Sequence, residues 1–214
     1  MHFLIACLTL LSAVSGVKII LVGLPKSGTT SFHQFFQKIG IKSVHWRSPS
    51  LKPSGETILQ AKAEGLPLFH YLQDFEAITE YALVRYANQQ KMCYFPQNSE
   101  LERIYEENKD ALFILNSRDI QKHARSMNAF AYYGRILQTA CPDFLPGTAE
   151  TPWHDRYVQF ITEHNQRVRD FFAQHPEAKF LEFTIDKPDL SLLQPYLDTK
   201  NQSFPHAHKN PRLN

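Results

Sequence analysis

Residues 17–31 read VKIILVGLPKSGTTS, and few folds accommodate that order. Ile19, Ile20, Leu21 and Val22 form an unbroken apolar run, the pattern of a strand buried on both faces. Gly23 ends the run, a short loop follows, and a helix-ready segment opens near Thr29. A buried strand that feeds a glycine-bearing loop and a helix N-terminus makes an anion site. The loop amides point inward, and the helix dipole favours negative charge. The segment therefore predicts a phosphate cradle at one edge of a layered α/β domain.

The position of the cation refines this. The nucleoside-triphosphate loop G-x-x-x-x-G-K-[ST] carries its lysine after the second glycine, where it spans the β- and γ-phosphates beside a magnesium ion. Gly23 and Gly28 keep that spacing, but Thr29 follows the second glycine, and the lysine, Lys26, stands two places ahead of it. A cation at the front of the loop sits beside a leaving 5′-phosphate group instead.

Down the chain, Phe32, Phe35, Phe36 and Ile39 recur at helical spacing before Gly40. Residues 41–46 predict a second strand, which puts His45 at a strand C-terminus, the edge that lines ligand crevices in open α/β sheets. A helix is expected over 56–64, a brief strand over 66–69 ending at His70, and a helix over 99–108 with a Ser99/Glu102 capping box. The strongest later strand is 111–115. Asn116-Ser117-Arg118-Asp119 then turns the chain into one long helix over about 119–138. Residues 139–151 read as a mobile or substrate-covering loop. Thr151-Pro152 starts a helix to about Gln174, followed by a strand over 178–183 and a short helix over 190–197. The order predicts a three-layer α/β/α fold with a mainly parallel central sheet.

The loop Pro25-Lys26-Ser27-Gly28-Thr29-Thr30-Ser31 resembles the 5′-phosphosulfate-binding loop of the PAPS-dependent sulfotransferase family, within the wider P-loop superfamily. Those enzymes take a sulfuryl group from 3′-phosphoadenosine 5′-phosphosulfate (PAPS). A second match lies at Arg118 and, eight residues on, Ser126; in the family a strand-end arginine and a serine at that remove grip the 3′-phosphate. The resemblance covers most of residues 17–210 and includes a Phe-Pro-His-x-Asn-like end, here Phe204-Pro205-His206-Ala207-His208-Lys209-Asn210, in which Asn210 comes one or two places late. Two departures stand out: no proline follows Arg118-Asp119, and His123 stands where many relatives carry tryptophan. The resemblance implies that backbone N–H groups of Ser27–Thr30 and the hydroxyls of Thr29, Thr30 and Ser31 bind the phosphosulfate. Lys26 would stabilise charge on the bridging oxygen.

The acceptor's proton needs a base. His45, His70, Asp74 and Glu76 are the candidates, with Glu76 and His70 ranked first; His164, on an apolar helical face, reads as a core histidine. Neither a Walker B aspartate after Leu115 nor an HExxH or paired CxxC motif is present, so no metal is expected. The partners implied are the nucleotide donor and an unidentified hydroxyl or amine acceptor. The competing readings are a P-loop nucleotide kinase or NTPase, and a non-catalytic nucleotide-binding relative.

At 214 residues the chain suits one domain over 17–214. A formal net charge of +2 argues against a nucleic-acid or polybasic membrane binder. Residues 1–16 read as a secretory signal peptide cleaved after Ser15 or Gly16; the apolar run is shorter than the roughly 20 residues of a membrane span. That expectation assigns the chain to the secretory lumen or the exterior, or to the cytoplasm if the segment is no signal. In an oxidising compartment Cys93 and Cys141 either pair or stay free and buried.

Overall fold

The structure, a computed structural model, describes residues 18–47, 52–87, 90–130 and 133–207. The expected leader and the last residues of the tail lie outside these. The chain runs β1 (Ile19–Leu21), α1 (Thr29–Lys38), β2 (Ser43–His45), α2 (Ser54–Ala63), β3 (Ala77–Glu80), β4 (Leu83–Ala87), β5 (Gln90–Tyr94), α3 (Pro96–Ser99), α4 (Leu101–Glu106), β6 (Leu112–Ser117), α5 (Ile120–Ala129), α6 (Tyr133–Ala140), α7 (Trp153–Ala173) and β7 (Lys179–Thr184). Short 3₁₀ turns stand at His70–Leu72, Pro142–Phe144 and Leu190–Leu192.

Five strands pair in the order β2-β3-β1-β6-β7, each pair parallel. Parallel strands need crossovers, and the helices that supply them cover both faces, which is why the strands are apolar on both sides. Successive residues divide between the layers. Ile20, Val22, Ile78, Phe113 and Leu115 pack with Ile58, Leu101, Ile104, Tyr105, Val168 and Phe172 of α2, α4 and α7. Ile19, Leu21, Ala77, Leu112 and Ile114 pack with Phe32, Phe35 and Phe36 of α1 and with Phe204. The expected three-layer arrangement is thus observed. β1 lies between β3 and β6, so the loop that leaves it emerges where the chain changes direction across the sheet, the crevice of doubly wound folds.

Several local expectations give way. Residues 66–69 form no strand; Leu68, Phe69 and Leu72 are buried in turns beneath α2. The third sheet strand is Ala77–Glu80, fixed by pairing Ile19 with Ala77 and Ile20 with Ile78. The Ser99/Glu102 capping box does not form. Pro96 opens a turn of its own, Ser99 closes it by donating its hydroxyl to Phe95 O (3.3 Å), and α4 starts afresh at Leu101. The long helix is split at Phe130, whose backbone is extended. Gly134 permits the tight corner, since a Cβ there would stand 2.5 Å from Asn128 O.

Beside the sheet, β4 and β5 form an unexpected antiparallel hairpin with Leu83 opposite Tyr94. Its Cys93 is disulfide-bonded to Cys141, which follows α6, with Cα atoms 6.2 Å apart. Residues 141–151 are not loose. Arg156 of α7, 4% exposed, donates to Leu145 O (2.6 Å), to Pro146 O (2.7 Å) and to Pro142 O, and its guanidinium stacks 4.4 Å from the Trp153 ring. Among the described residues no helix is long and apolar enough to cross a membrane.

The disulfide closes a 48-residue separation, for which chain entropy gives on the order of 4 kcal/mol of stabilisation. Replacing both cysteines with alanine is expected to lower the urea-unfolding free energy by about 2–4 kcal/mol. An unchanged unfolding midpoint would show that the bridge does not constrain the unfolded chain.

Candidate active site

The β1 ladder continues through Val22, whose N–H donates to Ile114 O (2.9 Å), and then meets Asn116 on β6. The Asn116 side chain spans the loop. Its Oδ1 accepts from Gly23 N–H (3.0 Å), and its Nδ2 donates to Ser27 O (3.3 Å) and Ser27 Oγ. Ser27 Oγ in turn donates to Leu24 O (2.5 Å). The first glycine is required here, because a Cβ at Gly23 would lie 2.3 Å from the Asn116 carbonyl oxygen. Asn116, directly after Leu115, stands at the position a Walker B aspartate would take, and it works as an amide clamp.

The loop then turns through two left-handed residues, Lys26 (φ 72°) and Gly28 (φ 92°). Glycine adopts that region freely, whereas for lysine it costs on the order of 1–2 kcal/mol. The loop's outward carbonyls are occupied. His123 Nε2–H donates to Pro25 O (2.8 Å) and Arg118 Nη1 to Lys26 O (3.3 Å). With carbonyls held outward and no side-chain cap on α1, the first-turn amides at Thr29–Ser31 face the site, unsatisfied within the helix as all such amides are. His123 is 1% exposed, and burial holds its pKa down at about 4. It is therefore a neutral donor wedged behind the loop.

Lys26 belongs to the loop, and Arg118 reaches it through the Lys26 carbonyl. The Lys26 ammonium rests 3.6 Å over the Phe130 ring. Burial lowers its pKa first, the Glu80 charge raises it, and Arg118 lowers it again. Arg118 follows β6, and its Nε is buried without a hydrogen-bond partner. On α5, His123 reaches Pro25 and Phe130, just past the helix end, reaches Lys26. Ser126, three residues after His123, shares that helical face. Ser31 Oγ accepts from Ala207 N–H (3.1 Å), which ties the tail segment to α1 beside Phe204.

The base candidates separate cleanly. A parallel strand delivers only its last residue to the loop edge, and β3 ends at Glu80. Glu80 Oε2 accepts from Thr29 Oγ1 (3.0 Å) and Oε1 from Ala82 N–H (3.4 Å). Burial lifts its pKa to about 7, against the pull of the Thr29 and Ala82 hydrogen bonds and the Lys26 charge. Glu76 and His70 lie at the opposite edge. Glu76 precedes β3; its carbonyl accepts from Ile19 N–H (2.7 Å) and its carboxylate from Lys42 N–H (2.8 Å), at the starts of β1 and β2. His70 heads a 3₁₀ turn with its ring edge-on to Tyr71, and Asp74 follows in the same segment ahead of β3. His45 does reach the loop, with Nε2 3.2 Å from Thr30 Oγ1. His164 is a core residue: buried, its Nε2–H donates to Val22 O (2.8 Å), and desolvation holds its pKa at about 4.

Glu80 is hard to find in the sequence because its strand is four residues long and half polar, with Thr79 and Glu80 following Ala77 and Ile78. The one available signal was an acid closing a short β-branched run, Ala77-Ile78-Thr79-Glu80. Phe130 was hidden inside the expected long helix. Among the described residues no group of three or more His, Cys, Asp or Glu is placed to hold a metal ion.

No curated protein matches the chain. Among solved structures, the shikimate kinase from Bacteroides thetaiotaomicron superposes with a TM-score of 0.48 at 14% identity, over 84% of this chain and 93% of that one. The family profile described as "Sulfotransferase domain" matches residues 18–213, from the first described residue of β1's approach to the tail. The chain therefore belongs to the sulfotransferase domain family.

Proposed function

We propose that the protein transfers a sulfuryl group from PAPS to a hydroxyl or amine acceptor by in-line displacement, releasing adenosine 3′,5′-bisphosphate. The observation that carries this reading is the meeting of Lys26 and Glu80 at the loop edge. One is a cation at the front of an anion cradle, and the other an acid tuned to about 7 whose carboxyl touches the cradle through Thr29.

The roles follow from chemistry. PAPS supplies the sulfuryl group when bound. The α1 amides and the Thr29 and Thr30 hydroxyls hold the 5′-phosphosulfate, and Ser31 adds a hydroxyl anchored at the tail. Lys26 leaves the Phe130 ring for the bridging oxygen, where negative charge grows as the bond to sulfur breaks. Arg118, with its buried unpartnered Nε, and Ser126 hold the 3′-phosphate, the arginine fork matching phosphate geometry. Glu80 takes the acceptor's proton, its pKa matched to operation near neutral pH. A kinase reading lacks support, because Asn116 fills the loop-facing position of the metal-binding aspartate with an amide that closes the loop. We also assign the protein to an oxidising compartment, on the Cys93–Cys141 disulfide and the leader-like segment.

Thermal shift tests the donor. Adenosine 3′,5′-bisphosphate is expected to raise the melting temperature, and ATP with magnesium is not; a response to ATP-magnesium alone would overturn the reading. Radiolabel transfer from PAPS to a panel of glycans, peptides and small alcohols tests catalysis. Lys26→Ala is expected to slow transfer about 10²–10³-fold.

Glu80→Gln is expected to lower transfer by about 10²–10⁴-fold while bisphosphate binding at pH 6.5 persists. In the wild type only the ionised carboxylate accepts a proton, so turnover should rise with pH through about 7 and then level off. A Glu80→Gln enzyme with an undiminished rate, or a wild-type rate falling over that range, would remove Glu80 from the base role.

A further inference from the structure

The last described stretch of the chain lies along α1 in the opposite sense. Lys200 comes up to Gly40, past the helix C-terminus, its Nζ 3.3 Å from where a Cβ on that glycine would stand. Phe204, 8% exposed, then inserts among Phe32, Phe35 and Phe183, with ring centroids 4.9, 5.7 and 5.0 Å away. Further on, Ala207 N–H donates to Ser31 Oγ (3.1 Å) in the first turn of α1. Among the described residues that is the one hydrogen bond the backbone makes between Ser203 and Ala207. The segment is thus held at two points, the Phe204 ring and the Ala207 amide, with no ladder to hold it elsewhere.

The second point bears on the cradle. A serine hydroxyl has one proton to give and lone pairs with which to accept. Ser31 Oγ already accepts from Ala207, and among the described residues no acceptor takes the Ser31 proton. Ser31 is only 6% exposed, so water is largely shut out as well. Cα–Cβ bonds in a helix tilt toward its N-terminus, which directs this hydroxyl to the end of α1 where the loop amides converge. A buried hydroxyl with an uncommitted proton is unfavourable until an acceptor arrives, and an anion in the cradle is such an acceptor. The two bonds of Ser31 also polarise each other. Accepting from Ala207 makes Ser31 a stronger donor, and giving its proton to an anion makes it a stronger acceptor for Ala207.

We infer that Phe204–Ala207 is a strap that turns Ser31 into a dedicated donor for the anion in the cradle, so that anion binding and strap docking reinforce one another. Ala207 is a positioning residue acting through Ser31, and Phe204 sets the register of the strap along α1. The identity of the anion, the 5′-phosphosulfate, rests on the donor reading above; the coupling itself does not. Linkage makes the effect reciprocal: whatever factor docking adds to anion affinity, the anion adds to docking. A strap with one backbone hydrogen bond opens far more readily than the sheet beneath it, so a modest factor shifts it between docked and open.

A double-mutant cycle isolates the link. Ser31→Ala removes the hydroxyl, and Ala207→Pro removes the N–H without altering Phe204 or α1. In equilibrium titration with adenosine 3′,5′-bisphosphate, Ala207→Pro is expected to bind about 5–10-fold more weakly than wild type, and Ser31→Ala at least about tenfold more weakly. In the Ser31→Ala background, Ala207→Pro should add no further loss. An equal loss in both backgrounds would overturn the inference, because the strap would then be supporting α1 and not the hydroxyl. Hydrogen exchange of the Ala207 amide reads the reciprocal effect in the wild type, without any substitution. Saturating bisphosphate should slow it at least about fivefold, and an unchanged rate would refute the coupling. The same exchange read with inorganic pyrophosphate separates the two readings. Slowing by pyrophosphate while no form binds the bisphosphate would remove the nucleotide donor and keep the strap; no slowing by either anion would remove the strap.

Discussion

The contact between Asn116 and Gly23 is the constraint on which the site depends. It brings the end of β6 against the start of the loop so closely that no side chain fits between them. One amide then satisfies Gly23 N–H and the two oxygens of Ser27, groups that would each cost about 1–3 kcal/mol if buried unpaired. With the loop pinned at both ends, Lys26 is held in the left-handed region, a conformation its neighbours must enforce. His123 and Arg118 complete the enforcement by occupying the Pro25 and Lys26 carbonyls. The loop is therefore shaped from behind by β6 and α5, leaving its front for a ligand.

Strand order supplies the rest. With β1 between β3 and β6, whatever ends those two strands flanks the loop. β6 leads into Arg118, and β3 ends in Glu80. A cation and an acid poised near neutrality thus come to one crevice from opposite sides although they lie far apart in sequence. The hairpin that leaves Glu80 and the helix α6 that follows Phe130 are joined by the Cys93–Cys141 bridge. The two arms departing from Glu80 and from Phe130 are covalently tied, and Arg156 fixes the connection beyond them.

Much of this was legible in the residues. The loop, α1 with its phenylalanine stripe, β6, the turn at Arg118 and the long α7 all announce themselves through local patterns. What stayed hidden depends on partners far along the chain. Ala77–Glu80 has no apolar run and becomes a strand only because β1 and β2 pair with it on either side. The expected strand over 66–69 put His70 at a strand end, whereas the sheet strand lies about ten residues later and ends at Glu80. The break at Phe130 is similar: the helical stripe continues through it in sequence, and the corner exists because α6 must turn back to the hairpin. His45 was visible as a strand-end residue, but its link to Thr30 arises from the irregular register between Val44 and His45 on β3.

The central claim is that one crevice grips two phosphates, the loop taking the 5′ group and Arg118 with Ser126 the 3′ group. Equilibrium titration of the wild type and of Arg118→Ala with adenosine 3′,5′-bisphosphate and with adenosine 5′-monophosphate tests it most directly. The wild type should prefer the bisphosphate by at least about tenfold, near 1.4 kcal/mol, and Arg118→Ala should lose that preference while still binding the monophosphate. Equal affinity of the wild type for the two nucleotides would contradict it.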